Sequence, residues 1–546
     1  IKGPAGTIYG AHDLGGVINR VSKLANPSST FGSVQIGLGS FDLRRAVVDY
    51  NRAFADGAAA VRATALFQDG EVLTRGDRND RRAIQLALTW KVGGGRLWVL
   101  PYYGENETMV GTAPWFIDAT GRISTDFDRR FSYNQNDARN EDTRAFGEVG
   151  YQRPIELFGT TWNLRLVGRY TKLEFADRLY NPRTVSFFHS AGAVISGGNL
   201  SSNWSDVRIT AWTVRDQDET LDYRGGFLDL VGEIGTGPLK HTILTSLQVQ
   251  RRDKYTRRVT NNWKALSYLF PVYEANPAQF RTSPTDAVAL DITTLQDAYA
   301  WSIQDNMAMF DGRLNLVLGA RYDDIRDTQA DRRNNVFFRN RKNTNWLYNY
   351  GATFDLTSAI TVYAQHGETY QARGGLDGLG RSIPNEEGEV NEAGIKLSAL
   401  DGRLSGGLAF FEMEQRNILE QTFIPSLNVA LLVPAGNIEV RGWEADLRYQ
   451  PLPELNLIAA VGDLNSRTSA GTLPRNAPQK LNYQLFAKYD FKRGPLAGFG
   501  IGSGYSYTSE RAVEGNPNFL LPGNHEWNGV VTYQRGPWRF HLSVAN

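Results

Sequence analysis

The residues able to do chemistry are plentiful but scattered. Six histidines, at His12, His189, His241, His366, His525 and His541, include no pair at a metal-ligand spacing such as H-x-x-x-H. There is no G-x-S-x-G nucleophile elbow and no phosphate-cradling P-loop. The absence of cysteine removes both disulfides and thiolate metal sites. Asn385–Glu389 (NEEGE) reads as a solvated acidic loop, since runs of like charge are usually surface. Asp323 and Asp324 are too few ligands for calcium. The expectation is no enzyme, no resident metal and no cofactor. A binding surface is the better reading of the aromatic clusters. Trp115 and Phe116, Trp204 and Trp212, and the run Trp263, Tyr268, Phe270 and Tyr273 stand near Arg208, Arg215, Arg257 and Arg258. Aromatic faces beside guanidinium groups suit a flat, anionic ligand through stacking and charge. Others of these rings would serve as an interfacial belt.

The elements that must position these residues are strands. Val61, Ala63, Ala65 and Phe67 alternate with Arg62, Thr64 and Gln68; Ile243, Thr245, Leu247 and Val249 alternate with polar neighbours; so do Trp538, Phe540, Leu542 and Val544. Period two over about 9–11 residues is the pattern of a tilted strand crossing a bilayer. No run of 18 apolar residues occurs, so no transmembrane helix is expected. The polar faces carry too much charge for a soluble sandwich core and fit a wet or plugged lumen. A net charge of +1, from 59 basic and 58 acidic residues, argues against nucleic acid as a partner.

Short connections alternate with long polar ones. The short set includes Ala55–Gly57, Gly93–Gly95, Thr236–Leu239, Asp311–Arg313, Asp401–Arg403, Pro451–Glu454, Arg493–Pro495 and Arg535–Pro537, with Asp-Gly and Gly-Gly turn chemistry. The long set includes Asp177–Leu221 and Asp253–Leu295. The fold class is all-β, an antiparallel transmembrane barrel with about 21 strands here, where an even number is expected of bacterial barrels. A closing strand is therefore expected beyond Asn546. Ile1 begins inside a motif, so an earlier part is expected as well.

That motif is Lys2–Lys23, KGPAGTIYGAHDLGGVINRVSK, with glycine at positions 3, 6, 10, 15 and 16 and a short apolar end expected to form a buried strand. It resembles the end of the plug domain in TonB-dependent outer-membrane receptors, departing at Leu14 where relatives often carry proline. FGSVQIGLGSFDLRRAVVDYN resembles that family's first barrel hairpin. EVNEAGIKLSALDGRLSGGLAFFEMEQRNI and AGNIEVRGWEADLRYQPLPELNL resemble its mid-barrel segments, the former in the siderophore-receptor branch. The resemblance implies residues 1–28 as the end of a plug and 29–546 as the barrel, in the bacterial outer membrane among lipid and lipopolysaccharide, as a monomer. It implies binding of a ferric siderophore outside and import driven through TonB with ExbB and ExbD. Relatives hold plug arginines with barrel glutamates; the matching positions here are Glu392 and Glu444, and the plug cation is Lys2. Other cargoes (cobalamin, haem, oligosaccharide) and a passive porin are the alternatives.

Overall fold

The computed structural model describes residues 6–11, 16–74, 77–108, 138–189, 194–196, 204–269, 287–333, 336–372, 383–424, 429–474, 480–513 and 516–545. One helical turn, α1 (Gly6–Tyr9), precedes the strands. The first are β1 (Phe31–Leu38), β2 (Arg44–Phe54), β3 (Ala59–Asp69), β4 (Asn79–Val92), β5 (Gly95–Thr108) and β6 (Arg139–Leu157). Longer ones follow: β7 (Thr160–His189), the short β8 (Val194–Ser196), β9 (Trp204–Thr236), β10 (Leu239–Leu269), β11 (Ala287–Met309) and β12 (Leu314–Asp331). Next come β13 (Val336–Asp355), β14 (Ile360–Gln371), β15 (Glu386–Ala399), β16 (Leu404–Ile424), β17 (Val429–Leu452) and β18 (Leu455–Thr468). The last are β19 (Leu481–Asp490), β20 (Phe499–Thr508), β21 (Arg511–Val513), β22 (Asn516–Leu521), β23 (Asn524–Arg535) and β24 (Trp538–Ala545).

From β2 to β20 the wall strands pair antiparallel with their predecessors, except that β9 takes the place beside β7 because β8 is only a side hairpin on β7; β23 then pairs with β20, and β24 with β23. Setting β8 aside, the 22-stranded sheet leaves 21 wall strands, the number read from the sequence. β21 and β22 form their own small sheet within the β20–β23 connection. Among the described residues β1 pairs only with β2, and β24 only with β23.

One end of the wall is closed by tight turns. The connections from β2–β3 through β23–β24 at this end are two to eight residues long. Three share one chemistry: Ala55-Asp56-Gly57, Phe310-Asp311-Gly312 and Leu400-Asp401-Gly402 all run through positive φ. Glycine carries no Cβ penalty there, and aspartate tolerates the region better than most residues. The structure adds short turns at Phe158–Gly159 and at 356–359.

Inside and outside follow from α1, which lies within the wall against β11 to β14. Arg321 reaches it, so the odd residues of β12 face inward and the even ones outward. Carried across the register, this turns Ile243, Thr245, Leu247 and Val249 of β10 outward, with Arg251 next on that face. On β16 the outward series is Leu404, Gly406, Leu408 and Phe410, followed by Glu412. The apolar outward series Ile243–Val249 and Leu404–Phe410 thus cover seven residues each and end at Arg251 and Glu412, the mark of a face that meets hydrocarbon and then water.

Three expectations need correction. Asp177–Leu221 and Asp253–Leu295 are largely strand, since β7 and β9 stay paired out to His189 and Trp204 and β10 runs to Leu269. Past the bilayer both faces meet water, so alternation disappears from the sequence although the backbone ladder continues. Ile18 and Val21, expected in a buried strand, are 87% and 81% exposed and lie outside any strand, because so short a run has no intrinsic means of burying a face. The NEEGE segment is no solvated loop: Asn385 and Glu386 are buried at the start of β15. Asn385 Nδ2 donates to Asn343 and Asn345, and Gln415 Nε2 donates to Glu386 at 3.2 Å.

The face assignment makes a stability prediction. Leu247→Arg, in the middle of the outward band, costs about 2–4 kcal/mol. Gln250→Arg, on the inward face of the same strand, stays within about 0.5 kcal/mol. Urea titration of the two variants refolded into bilayers checks the difference.

Candidate functional site

Gly6–Tyr9 is the only described helix, and its conformation is dictated by how closely the wall approaches. A Cβ on Gly6 would stand 2.1 Å from the Glu368 carbonyl oxygen, so no other residue fits. Gly10 closes the turn through its N–H to the Gly6 carbonyl at 2.7 Å, at φ +75°. A Cβ there would meet Arg321 Nη2 at 2.8 Å.

Arg321 is the wall's grip on this turn. Its guanidinium donates to the Ile8 carbonyl from Nη1 at 3.4 Å and to Gln248 Oε1 from Nη2 at 3.1 Å. Asp323, two residues along the inner face, accepts from Nε and Nη2 at 2.9–3.1 Å. Both side chains are over nine-tenths buried, at 5% and 7% exposure. A buried guanidinium needs this compensation, and the planar fork lets one residue bind a carboxylate, an amide and a backbone carbonyl at once. Leu347, opposite Arg321 in register, packs with Ala298, Ile325 and Tyr370 into an apolar cluster beside the pair.

A second anchor holds the chain where it enters the wall. Asp49 accepts Arg62 through both oxygens at 2.7 and 2.8 Å and Lys23 Nζ at 2.8 Å. Arg62 Nη1 also donates to the Leu24 carbonyl. Asn51, fully buried, bonds the backbone three times, to both N–H and carbonyl of Asn26 and to the Ser29 carbonyl. Ala25 packs under it against Ala60, Ala87 and Leu100.

Glu392 and Glu444 sit on β15 and β17, either side of β16, and line one lumenal cavity of about 610 Å³ with Lys396 and Asp446. Glu392 Oε1 accepts from Tyr363 Oη at 2.7 Å and from Gln365 Nε2 at 3.1 Å, while the Lys396 ammonium stands 4.8 Å over the Tyr363 ring. Lys2 lies outside the described residues, as do Trp115, Phe116, Phe270 and Tyr273. Trp204, Trp212, Trp263 and Tyr268 lie on the extended ends of β9 and β10, where Trp212 and Trp263 are direct register partners. Alternation separates two arginines grouped with them. Arg258 faces inward, where its Nε donates to Gln217 at 2.8 Å; Arg257 faces outward. Arg215 pairs inward with the fully buried Asp177 carboxylate.

The sequence reading missed Arg321, Asp323, Asp49, Arg62 and Asn51. Asp323 and Asp324 could never have shared a calcium ion, because successive residues point to opposite faces; Asp324 is outside, with Arg326 and Lys342. The usable signal was charge on the inward face of a strand whose other face is apolar, as in Arg321-x-Asp323.

The buried pair thus holds a turn of chain inside a β-barrel wall. The profile of the family described as TonB dependent receptor-like, beta-barrel, matches residues 41–546. The chain belongs to this family of outer-membrane transport receptors. It is 25% identical to the metal-pseudopaline receptor CntO of Pseudomonas aeruginosa, over 96% of this chain and 71% of that one. It is 24% identical to the ferrichrome outer membrane transporter/phage receptor of Escherichia coli, over 98% and 71%. Among solved structures, the ferric-catecholate import receptor Fiu of E. coli superposes at a TM-score of 0.79 with 16% identity, covering 100% of this chain and 81% of that one. The P. aeruginosa ferripyoverdine receptor superposes at 0.78 with 19% identity, covering 100% and 71%.

Arg321→Ala leaves Asp323 buried without its cation and is expected to cost about 3–5 kcal/mol. Arg321→Lys, which keeps the charge but loses the fork, costs less. Thermal unfolding of both variants tests the order; equal midpoints for wild type and Arg321→Ala would remove the grip from the account.

Proposed function

We propose that this chain imports a ferric siderophore, binding it on the external side and releasing it to the periplasm. The observation that carries this reading is the docked turn. Gly6–Gly10 lies in the lumen and is held against the wall at Arg321, which supports a barrel with chain docked inside it rather than an empty pore. Differential binding is needed to shift such an equilibrium, and an energised pull from TonB, with ExbB and ExbD behind it, supplies the work. A passive pore has no use for the grip. The relatives' names favour metal chelates over cobalamin, haem or oligosaccharide, since they bind metal-pseudopaline, ferrichrome and ferripyoverdine. The extended ends of β7, β9 and β10 offer the ligand surface. Trp204, Trp212, Trp263 and Tyr268 are its aromatic candidates, and Trp115, Phe116, Phe270 and Tyr273, outside the described residues, complete the candidate set. Glu392 and Glu444 receive a plug cation in this reading, with Lys2 the matched residue. No catalytic step is proposed.

The test is uptake of radiolabelled iron by cells expressing the full-length receptor, across a panel of ferric siderophores, with and without TonB. Uptake of one chelate that vanishes without TonB is expected. TonB-independent entry of many small solutes would favour the porin. In the same cells Glu392→Gln with Glu444→Gln is expected to raise passive entry of a bulky antibiotic several-fold; unchanged entry would remove the clamp.

A further inference from the structure

The inner wall beyond the bilayer carries a group of charges that the docked turn does not use. It lies on the extended ends of β7, β9 and β10, past the outward Arg251 that ends the apolar series on β10. Asp177, Gln217 and Arg258 are successive cross-strand partners there, and Arg215 stands on the same face two residues before Gln217. Arg215 therefore has Asp177 on one diagonal and Arg258 on the other, and such neighbours are about 7–8 Å apart. Leu179 and Leu290, the register partners of Arg215 and Arg258, frame the group with apolar side chains.

The charges in this group do not balance. The fully buried Asp177 carboxylate is held by Arg215 through Nη2. Among the described residues, Asp177 Oδ1 and Arg215 Nε are both buried without a hydrogen-bond partner, so the pair is joined at one point and not as a fork. Arg258 gives its Nε to the neutral Gln217 amide at 2.8 Å. Among the described residues its two terminal nitrogens meet no acceptor, and no carboxylate stands within ion-pair distance of it. Two guanidiniums thus share one carboxylate. Burial, and then the charge of Arg215, push the Arg258 guanidinium below its ordinary proton affinity, while burial pushes the Asp177 carboxyl up. The next charged pair along this face, Glu219 with Lys254 at 2.9 Å, is already neutral. The ladder to β11 shifts register at Arg258/Val259. A bulge of this kind re-aims a side chain, and bulges gather at functional sites.

We propose that Arg258, with Arg215 beside it, is an anion-recognition point on the external inner wall, selecting cargo that carries a negatively charged oxygen group such as a carboxylate or catecholate. This rests on the reading of the chain as a siderophore importer and adds the charge class of the chelate. The open edge of the Arg258 fork suits two-point binding of such a group. The arriving anion supplies the counter-charge that the wall lacks, and the apolar frame makes the attraction stronger than in open water. Asp177 competes for the same cations and so sets the strength of the pull. A neutral chelate gains nothing from this arrangement.

The experiment is quenching of intrinsic tryptophan fluorescence in the purified full-length receptor, titrated with ferric citrate, a ferric tricatecholate and neutral ferrichrome. One of the two anionic chelates is expected to bind wild type about tenfold tighter than ferrichrome, the worth of one hydrogen-bonded charge. Arg258→Gln is expected to weaken that chelate about tenfold and to leave ferrichrome within about twofold. Asp177→Asn keeps the shape, removes the competing charge and is expected to tighten the anionic chelate about threefold. Heat-modifiable electrophoretic migration identifies the variants that are folded. A folded Arg258→Gln receptor that binds the anion as wild type does, or that loses ferrichrome equally, would overturn the anion site and leave siderophore import standing. Tighter binding of ferrichrome than of either anion would do the same. Failure of wild type to bind any of the three would overturn the import reading and this site with it.

Discussion

A strand in hydrocarbon must find every backbone hydrogen bond sideways, because the solvent offers none and each unmade bond costs several kcal/mol. The rest of this structure depends on that constraint. It forces one continuous antiparallel ladder, and the ladder's pleat sends alternate residues to lipid and to lumen. The outward face can then be only apolar for the depth of the bilayer, as in Ile243 to Val249. The inward face is released from that demand and collects the charge. Charge that becomes buried when something fills the lumen must in turn be paired, and Arg321 with Asp323 is where this obligation meets the chain inside.

The two contacts between that chain and the wall differ in kind. Around Asn51 and Asp49 the segment from Lys23 to Ser29 is bonded through its backbone and packed by Ala25, so it behaves as part of β2 and β3. At α1, among the described residues, Arg321 donates to the Ile8 carbonyl, and two buried oxygens, Thr7 Oγ1 and Asn349 Oδ1, have no hydrogen-bond partner there. The first contact suits a permanent tether. The second is a close packing of the turn against β11 to β14, with Arg321 at its edge.

Much of this was legible beforehand. Alternation in Val61–Phe67 and Trp538–Val544, and Asp-Gly pairs at the turns, specify faces and hairpins directly, and glycine at positions 6 and 10 follows from contacts as close as that of Gly6 with Glu368. What escaped were features that periodicity does not encode. Strands above the bilayer lose alternation, so Arg251–Thr260 reads as loop although it is paired throughout. Partner choice across the lumen is set by register summed over many strands, so nothing local tied Arg321 to Ile8.

The central claim is that the first residues form a gate held shut by the wall and opened by energy from outside the barrel. Thr7 reports on it directly, being 2% exposed in a chain without cysteine. Thr7→Cys in the full-length receptor would be labelled by a membrane-impermeant thiol reagent on whole cells. The account predicts protection in cells lacking TonB, and labelling when TonB and the ferric siderophore are both present. Labelling at the same rate with and without TonB would contradict it.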